Sequence, residues 1–220
     1  MLDAAGNRIQ ASDPNGNVTD YTYTGAGLLA SILEPDGDGA GPLGRPFTQL
    51  AYDGLGRLVT KTNPDGTTRS FAHDDADNLT SLTDELGRTT TYAHDELGRV
   101  LTETDAAGNV TTYRHDLLDR LVQITLPGGA TYGWGYDARD RLVSVTEPGG
   151  STGFTWSNFD NLTSVIDALG GVTSFAHDAD GRMTQMTRPD PDGAGPLEAG
   201  VYTYAVDARQ SRIDRPHWRG

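Results

Sequence analysis

The feature that most constrains this chain is a period. A residue that stands just before a turn recurs at Tyr23, Tyr52, His73, His94, His115, Tyr136, Trp156, His177 and Val206, mostly 20 or 21 residues apart, with 29-residue intervals at both ends of the series. One such unit is too short to bury a core of its own. A fixed period of this length therefore requires a supersecondary unit stacked on its own copies, with at least ~3 copies for stability.

Within a unit the pattern has period two, which signals a strand. Two residues before each of these anchors stands an aromatic ring: Tyr21, Phe71, Tyr92, Tyr113, Trp134, Phe154, Phe175 or Tyr204, with Leu50 as the aliphatic substitute. The residue between ring and anchor is small, as at Ala51, Ala72, Ala93 and Gly135, with Arg114 as the exception. One face of the strand thus carries rings and the other is thin. The rings are expected to pack in a column, with His73, His94 and His115 buried in the slot that Tyr52 and Tyr136 also fill.

The turn that follows reads Asp-x-x-Gly-Arg at Asp53 to Arg57, Asp95 to Arg99 and Asp178 to Arg182. It suits a type I turn followed by one left-handed residue, the hairpin with a glycine bulge. Asp77, Asp119, Asp140 and Asp160 replace that glycine in other copies and are expected at positive φ, which aspartate tolerates better than most residues. The first Asp of the turn is expected to accept hydrogen bonds from backbone N–H groups two or three residues on. The return strand opens with Leu58, Leu79, Val100, Leu121, Leu142, Leu162 or Met183 and continues with β-branched and small polar residues. A second turn then closes the unit, so each repeat predicts two short antiparallel strands and two tight turns. The fold class is all-β, an array of antiparallel hairpins forming a curved or spiral sheet.

Tyr52-Asp53-x-x-Gly56-Arg57-Leu58 and its copies resemble the YD repeat of the Rhs proteins, which is shared with wall-associated bacterial toxins, the cocoon subunits of ABC toxin complexes and teneurins. The resemblance covers about residues 13 to 209. It departs where His replaces Tyr in four copies and where Arg is lost at Asn78, Asn161 and Ser211. It implies a hollow shell wound from repeats around a toxin, and a non-catalytic role. The residues expected to carry that structural role are Tyr52, Asp53, Gly56, Arg57, Leu58, Tyr92, Asp95, Gly98, Arg99, Asp116, Arg120, Tyr136, Asp137, Arg141, Asp178, Gly181 and Arg182. The implied partners are the rest of a longer Rhs-like polypeptide and its enclosed toxin domain, in a secreted or cell-surface protein.

The patterning predicts one continuous array over residues 1–210, truncated at its N-terminus, and an irregular tail over 211–220. Asp3-Ala4-Ala5-Gly6-Asn7 matches Asp105 to Asn109, so the chain is expected to begin inside a second turn, without a signal peptide. With no cysteine there is neither a disulfide framework nor a thiolate metal site. No apolar run reaches the ~18 residues of a membrane helix. A net charge of −14 argues against a nucleic-acid partner.

Two near-duplicate stretches, Pro35 to Leu43 and Pro189 to Leu197, each add eight residues at a second turn and are the candidates for a partner surface or ion site. Asp36, Asp38, Asp190 and Asp192 resemble the opening of a calcium loop. Phe47 and Val201 stand where the bidentate Glu of an EF-hand belongs, so the metal assignment is weak and no cofactor is expected. Gly149-Gly150-Ser151-Thr152-Gly153 matches a nucleophile elbow in spelling alone, because a strand follows it instead of a helix. The four His-Asp pairs cannot share a metal, since equivalent residues in neighbouring hairpins stand ~9 to 10 Å apart. The first reading of function is a structural shell segment that encloses or displays a toxin. The alternative is an adhesin binding a cell-surface glycan or protein through the repeat face and the acidic loops.

Overall fold

The structure, a computed structural model, describes residues 1–37, 44–190 and 200–204. These residues form eighteen strands and no helix. Two compact units divide the chain at residue 111. The first holds β1 (Gln10–Ser12), β2 (Val18–Tyr23), β3 (Leu29–Leu33), β4 (Phe47–Tyr52), β5 (Leu58–Thr62), β6 (Thr68–His73), β7 (Leu79–Thr83), β8 (Thr89–His94) and β9 (Val100–Thr104). The second opens within β10 (Val110–His115) and continues through β11 (Leu121–Thr125), β12 (Thr131–Tyr136), β13 (Leu142–Glu147), β14 (Gly150–Trp156), β15 (Leu162–Ile166), β16 (Val172–His177), β17 (Met183–Thr187) and β18 (Val201–Thr203).

Within each unit every strand pairs antiparallel with the strands before and after it, in an open ladder of hairpins. Most of the rings face aliphatic partners across their hairpins, with Tyr21 opposite Ile32, Phe71 opposite Leu82, Trp134 opposite Val145 and Phe154 opposite Val165, while Tyr92 faces Glu103. Such cross-strand pairs are the unit of sheet stabilisation. The thin face is also as expected, with Ala51, Ala72, Ala93 and Ala176 exposed between half-buried rings.

One expectation fails. No apolar side chain among the described residues is buried, and His73, His94 and His115 are only half-covered. Ser31 alone falls to 7% exposure, with its hydroxyl 2.6 Å from that of Thr22. The reason is architectural: within each unit the described strands touch only the strands before and after them in the chain. The rings are half-covered beside their cross-strand partners, not within a core.

The first turns follow the predicted geometry. Gly56, Gly98 and Gly181 have φ of 83°, 78° and 79°, while Asp77, Asp119, Asp140 and Asp160 adopt 68°, 63°, 62° and 63° in the same position. A second irregularity accompanies each. Ala51 pairs with Thr60 and Tyr52 with Leu58, so Val59 is an extra residue in the return strand. The same bulge recurs at every first hairpin from β2/β3 to β16/β17. Bulges of this kind bend a strand and sharpen its twist.

The turn at Asp3 to Asn7 is a first turn, not the second turn its spelling suggests. Leu2 bridges Arg8 as Tyr52 bridges Leu58, and β1 runs from there into the second turn at Asp13 to Asn17. Leu2 thus stands 21 residues before Tyr23, in the anchor position.

Candidate functional site

The first turns line one rim of each unit. Each is a five-residue loop whose polar groups are satisfied internally. In Asp53 to Arg57, the Asp53 N–H donates to the Arg57 carbonyl at 2.9 Å and the Gly56 N–H to the Asp53 carbonyl at 3.1 Å. One Asp53 carboxylate oxygen accepts from the N–H groups of Leu55 and Arg57, both at 3.0 Å; the other accepts from Arg57 Nε at 2.7 Å. The side chain therefore caps residues two and four positions on, while the residue three on is taken by the main chain. The pattern repeats at Asp95–Arg99, Asp116–Arg120 and Asp137–Arg141, each with Nε donating at 2.7 Å. In the Asp178 to Arg182 turn the capping bonds to Asp180 and Arg182 are kept, but the Arg182 guanidinium approaches Asp180, at 2.8 Å, more closely than Asp178.

These bonds stabilise the ionised carboxylate. The Arg141 guanidinium holds the Asp137 carboxyl down to about 2, and the Arg120 and Arg99 guanidinium groups lower Asp116 and Asp95 in the same direction. Asp53 and Asp178 are lowered chiefly by the backbone N–H of Arg57 and of Arg182.

The arginine also reaches the next repeat. Arg57 Nη1 donates to the Asp74 carbonyl at 2.6 Å and to the Asp77 carboxylate at 2.8 Å. Arg120 does the same to Asp137 and Asp140, and Arg141 to Ser157 and Asp160. Arg120 stacks over the Tyr136 ring at 4.7 Å and Arg141 over the Trp156 ring at 5.8 Å, within cation–π range. The anchors reach the opposite way. Tyr52 Oη donates to the Leu29 carbonyl at 2.9 Å, Tyr136 Oη to the Leu121 carbonyl at 3.3 Å, and Trp156 Nε1 to the Leu142 carbonyl at 2.8 Å. Each acceptor opens the preceding return strand, beside the bulge. A histidine in the same slot does not restore the contact, and Nδ1 of His73 and of His115 is buried without a hydrogen-bond partner.

Of the residues singled out in the sequence, Tyr52, Asp53, Gly56, Arg57 and Leu58 come together at one turn, and Tyr136, Asp137 and Arg141 at another, where Arg120, held by Asp116 of the preceding turn, reaches them. Asp95, Gly98 and Arg99 share a turn, and so do Asp178, Gly181 and Arg182. Tyr92 lies off the rim, in the ring column opposite Glu103. Sequence reasoning missed Arg45. Its guanidinium bonds Asp20 at 2.6 Å, the Val18 carbonyl at 2.7 Å and the Leu33 carbonyl at 3.0 Å, holding β2 and β3 from a position beyond the first inserted loop. No period marks a residue that occurs once.

The carboxylates that open the Arg-ended first turns are engaged with N–H groups and guanidinium groups. No cluster of three or more metal-ligating side chains occurs among the described residues. Of the weak calcium candidates, Asp38 and Asp192 lie outside the described residues, while Asp36 and Asp190 lie at their edges.

The RHS repeat matches this chain in seven segments, residues 3–38, 41–68, 52–89, 73–110, 94–131, 115–152 and 156–193. The chain belongs to the RHS repeat family. No curated protein matches it. Among solved structures, this RHS chain resembles the TcdB2-TccC3-Cdc42 crystal structure at 16% identity and TM-score 0.61, over 93% of this chain and 12% of that one. It also resembles TcdB2-TccC3-TEV, at 15% identity and TM-score 0.63 over the same shares. The Tc holotoxin pore of Photorhabdus luminescens matches at 16% identity and TM-score 0.59, over 96% of this chain and 13% of that one. The chain thus spans about an eighth of the length of the solved chains it matches, and at these identities the likeness establishes the fold. No helix among the described residues is long and apolar enough to cross a membrane.

Proposed function

We propose that this chain is a non-catalytic structural segment of an RHS shell that encloses or displays a toxin, within a longer polypeptide that is secreted or held at the cell surface. The observation that carries this reading is the repeat-to-repeat bonding of the first-turn rim, in which Arg57, Arg120 and Arg141 each tie one turn to the next. The side chains are committed to holding hairpins in series, which is what a wall requires. Residues 1–210 act in this reading as one continuous array, and Tyr52, Asp53, Gly56, Arg57 and Leu58, with their copies, are its structural residues.

The test is limited proteolysis of a longer polypeptide that contains this chain. A segment enclosed by the array is expected to stay uncut until the repeats unfold, and to become cleavable at the same denaturant concentration. Cleavage of every non-repeat segment while the repeats remain folded would overturn the shell reading. The second reading, an adhesin, is favoured by the exposed apolar turn tips, among them Leu117 and Phe159 at 102% and 87% exposure. Saturable binding to cell-surface glycans or proteins, lost on Phe159→Ser, is its expected result.

A further inference from the structure

The residue that ends a first turn and the left-handed residue of the following turn occur in matched pairs. Arg57 precedes Asp77, Arg120 precedes Asp140 and Arg141 precedes Asp160, each pair joined by an ion pair of 2.6 to 2.8 Å. Asn78 precedes Gly98, Asn161 precedes Gly181 and Leu28 precedes Gly56. In this second group a Cβ on the glycine would meet Asn78 Oδ1 at 2.7 Å, Asn161 Oδ1 at 3.2 Å and Leu28 Cδ1 at 3.3 Å. Among these six pairs the two groups do not mix; in sequence Arg182 precedes Gln210, which belongs to neither. In sequence Arg99 likewise precedes Asp119, and Asn7 precedes Gly27, although at Gly27 a Cβ would meet nothing.

Physical chemistry explains both halves. An arginine extends along the rim toward the next carboxylate, leaving space for an aspartate and repaying its positive φ with a charge-assisted bond. A shorter Asn or Leu stands 2.7 to 3.3 Å from where a Cβ would be, so a residue other than glycine there would have to push it aside. Asn78 still serves its own turn, donating from Nδ2 to Asp74 at 2.9 Å as Arg57 does from Nε to Asp53. The choice between Arg and Asn is therefore neutral within a turn and decisive between turns.

We propose that the last residue of each first turn is a specificity key that selects which hairpin can follow it, Arg accepting an Asp hairpin and Asn or Leu accepting a Gly hairpin. The rim thereby encodes the order in which hairpins of similar sequence stack. This would act against register slips, to which arrays of near-identical strands are prone. It goes beyond the shell reading and holds whether the array is a wall or an adhesin.

Two double-mutant cycles on the whole chain, read as thermal unfolding midpoints, test it. Gly98→Asp alone should lower the midpoint, and adding Asn78→Arg should recover at least half of that loss. In the other cycle, Arg57→Asn should lower the midpoint by ~2–4 °C, and Asp77→Gly should relieve it. The second cycle uses residues this chain already carries at those positions, so it remains readable if Gly98→Asp does not fold. Adding 1 M salt should shrink the Arg–Asp coupling while leaving the steric cost of Gly98→Asp in place. Additive midpoint changes in both cycles would overturn the proposal, because each turn would then choose its residues without regard to its neighbour.

Discussion

The two rims of the sheet are built from turns of similar spelling and behave differently. On the first-turn rim, arginines and anchors bond from one repeat to the next at nearly every described interface with a Tyr, Trp or Arg in place. The second-turn rim is held more locally: Asp84 caps Leu86 and Arg88, Asp105 caps Ala107 and Asn109, and links such as Asn63 and Arg69 to Glu85 are few. Both eight-residue insertions fall on the second rim, one in each unit. Their bases close without a change of register, with Glu34 N–H donating to the Pro46 carbonyl at 2.9 Å and Arg188 N–H to the Gly200 carbonyl at 2.8 Å. Strand β3 still pairs Leu33 with Phe47, and β17 pairs Thr187 with Val201. A rim whose turns are linked at few places can lengthen more freely than a rim that carries links from repeat to repeat.

Moving an insertion is the harshest way to break that comparison. Placing the eight residues Asp36 to Leu43 after Ala138, in a first turn, should lower the unfolding midpoint at least roughly twice as far as placing them after Gly128, in a second turn. Loop-closure entropy is similar in both, so the difference reports the lost links. Equal losses would mean the rims are equivalent.

A smaller contrast comes from two glycines with nearly the same φ, Gly98 at 78° and Gly87 at 76°. Gly98→Val should cost about 3 kcal/mol or more, because strain adds to the collision with Asn78, while Gly87→Val, which meets nothing, should cost about 1–2 kcal/mol in urea unfolding. Smaller again is the anchor hydroxyl: Tyr52→Phe should cost about 1 kcal/mol for its bond to Leu29. Tyr92→Phe, whose hydroxyl makes no hydrogen bond among the described residues, should stay within about 0.5 kcal/mol.

The smallest effect per residue is acid sensitivity. Asp53, Asp95, Asp105, Asp116 and Asp137, which open their turns, have folded pKa values below their unfolded ones, Asp137 at about 2 against an ordinary 3.8. The folded state thus binds fewer protons, and the stability these groups contribute is present above the unfolded value and lost as pH falls through the folded one. Unfolding midpoints should be steady from pH 7.5 to 5 and decline between about 4 and 2, and Asp137→Asn should flatten that decline more than Asp105→Asn. A decline confined to pH 6 to 7 would overturn the carboxylate assignment.

Much of this was legible in the sequence because it is local. The strand alternation, the turn at Asp53 to Arg57 and the positive φ of Asp77 each depend on residues within five positions of one another. The role of Arg57 beyond its own turn was not, since its other partner lies 20 residues away, and only reading the repeats in pairs, Arg before Asp and Asn before Gly, would have exposed it. Leu2 was passed over as an anchor because Asp3 to Asn7 is spelled like the second turn at Asp105 to Asn109. The half-exposure of Tyr92 and His94 was hidden for a different reason: alternation looks the same whether a sheet packs against a second layer or stands alone.

The lack of a buried apolar side chain among the described residues has a thermal consequence. Unfolding heat capacity comes mainly from apolar surface newly exposed to water, and here no described apolar side chain is fully hidden beforehand. The heat-capacity increment should fall below the ~12–15 cal/mol/K per residue typical of globular domains, giving a stability curve that is shallow in temperature. Such a sheet would resist cold nearly as well as moderate heat, and its strength would grow by adding hairpins instead of by thickening.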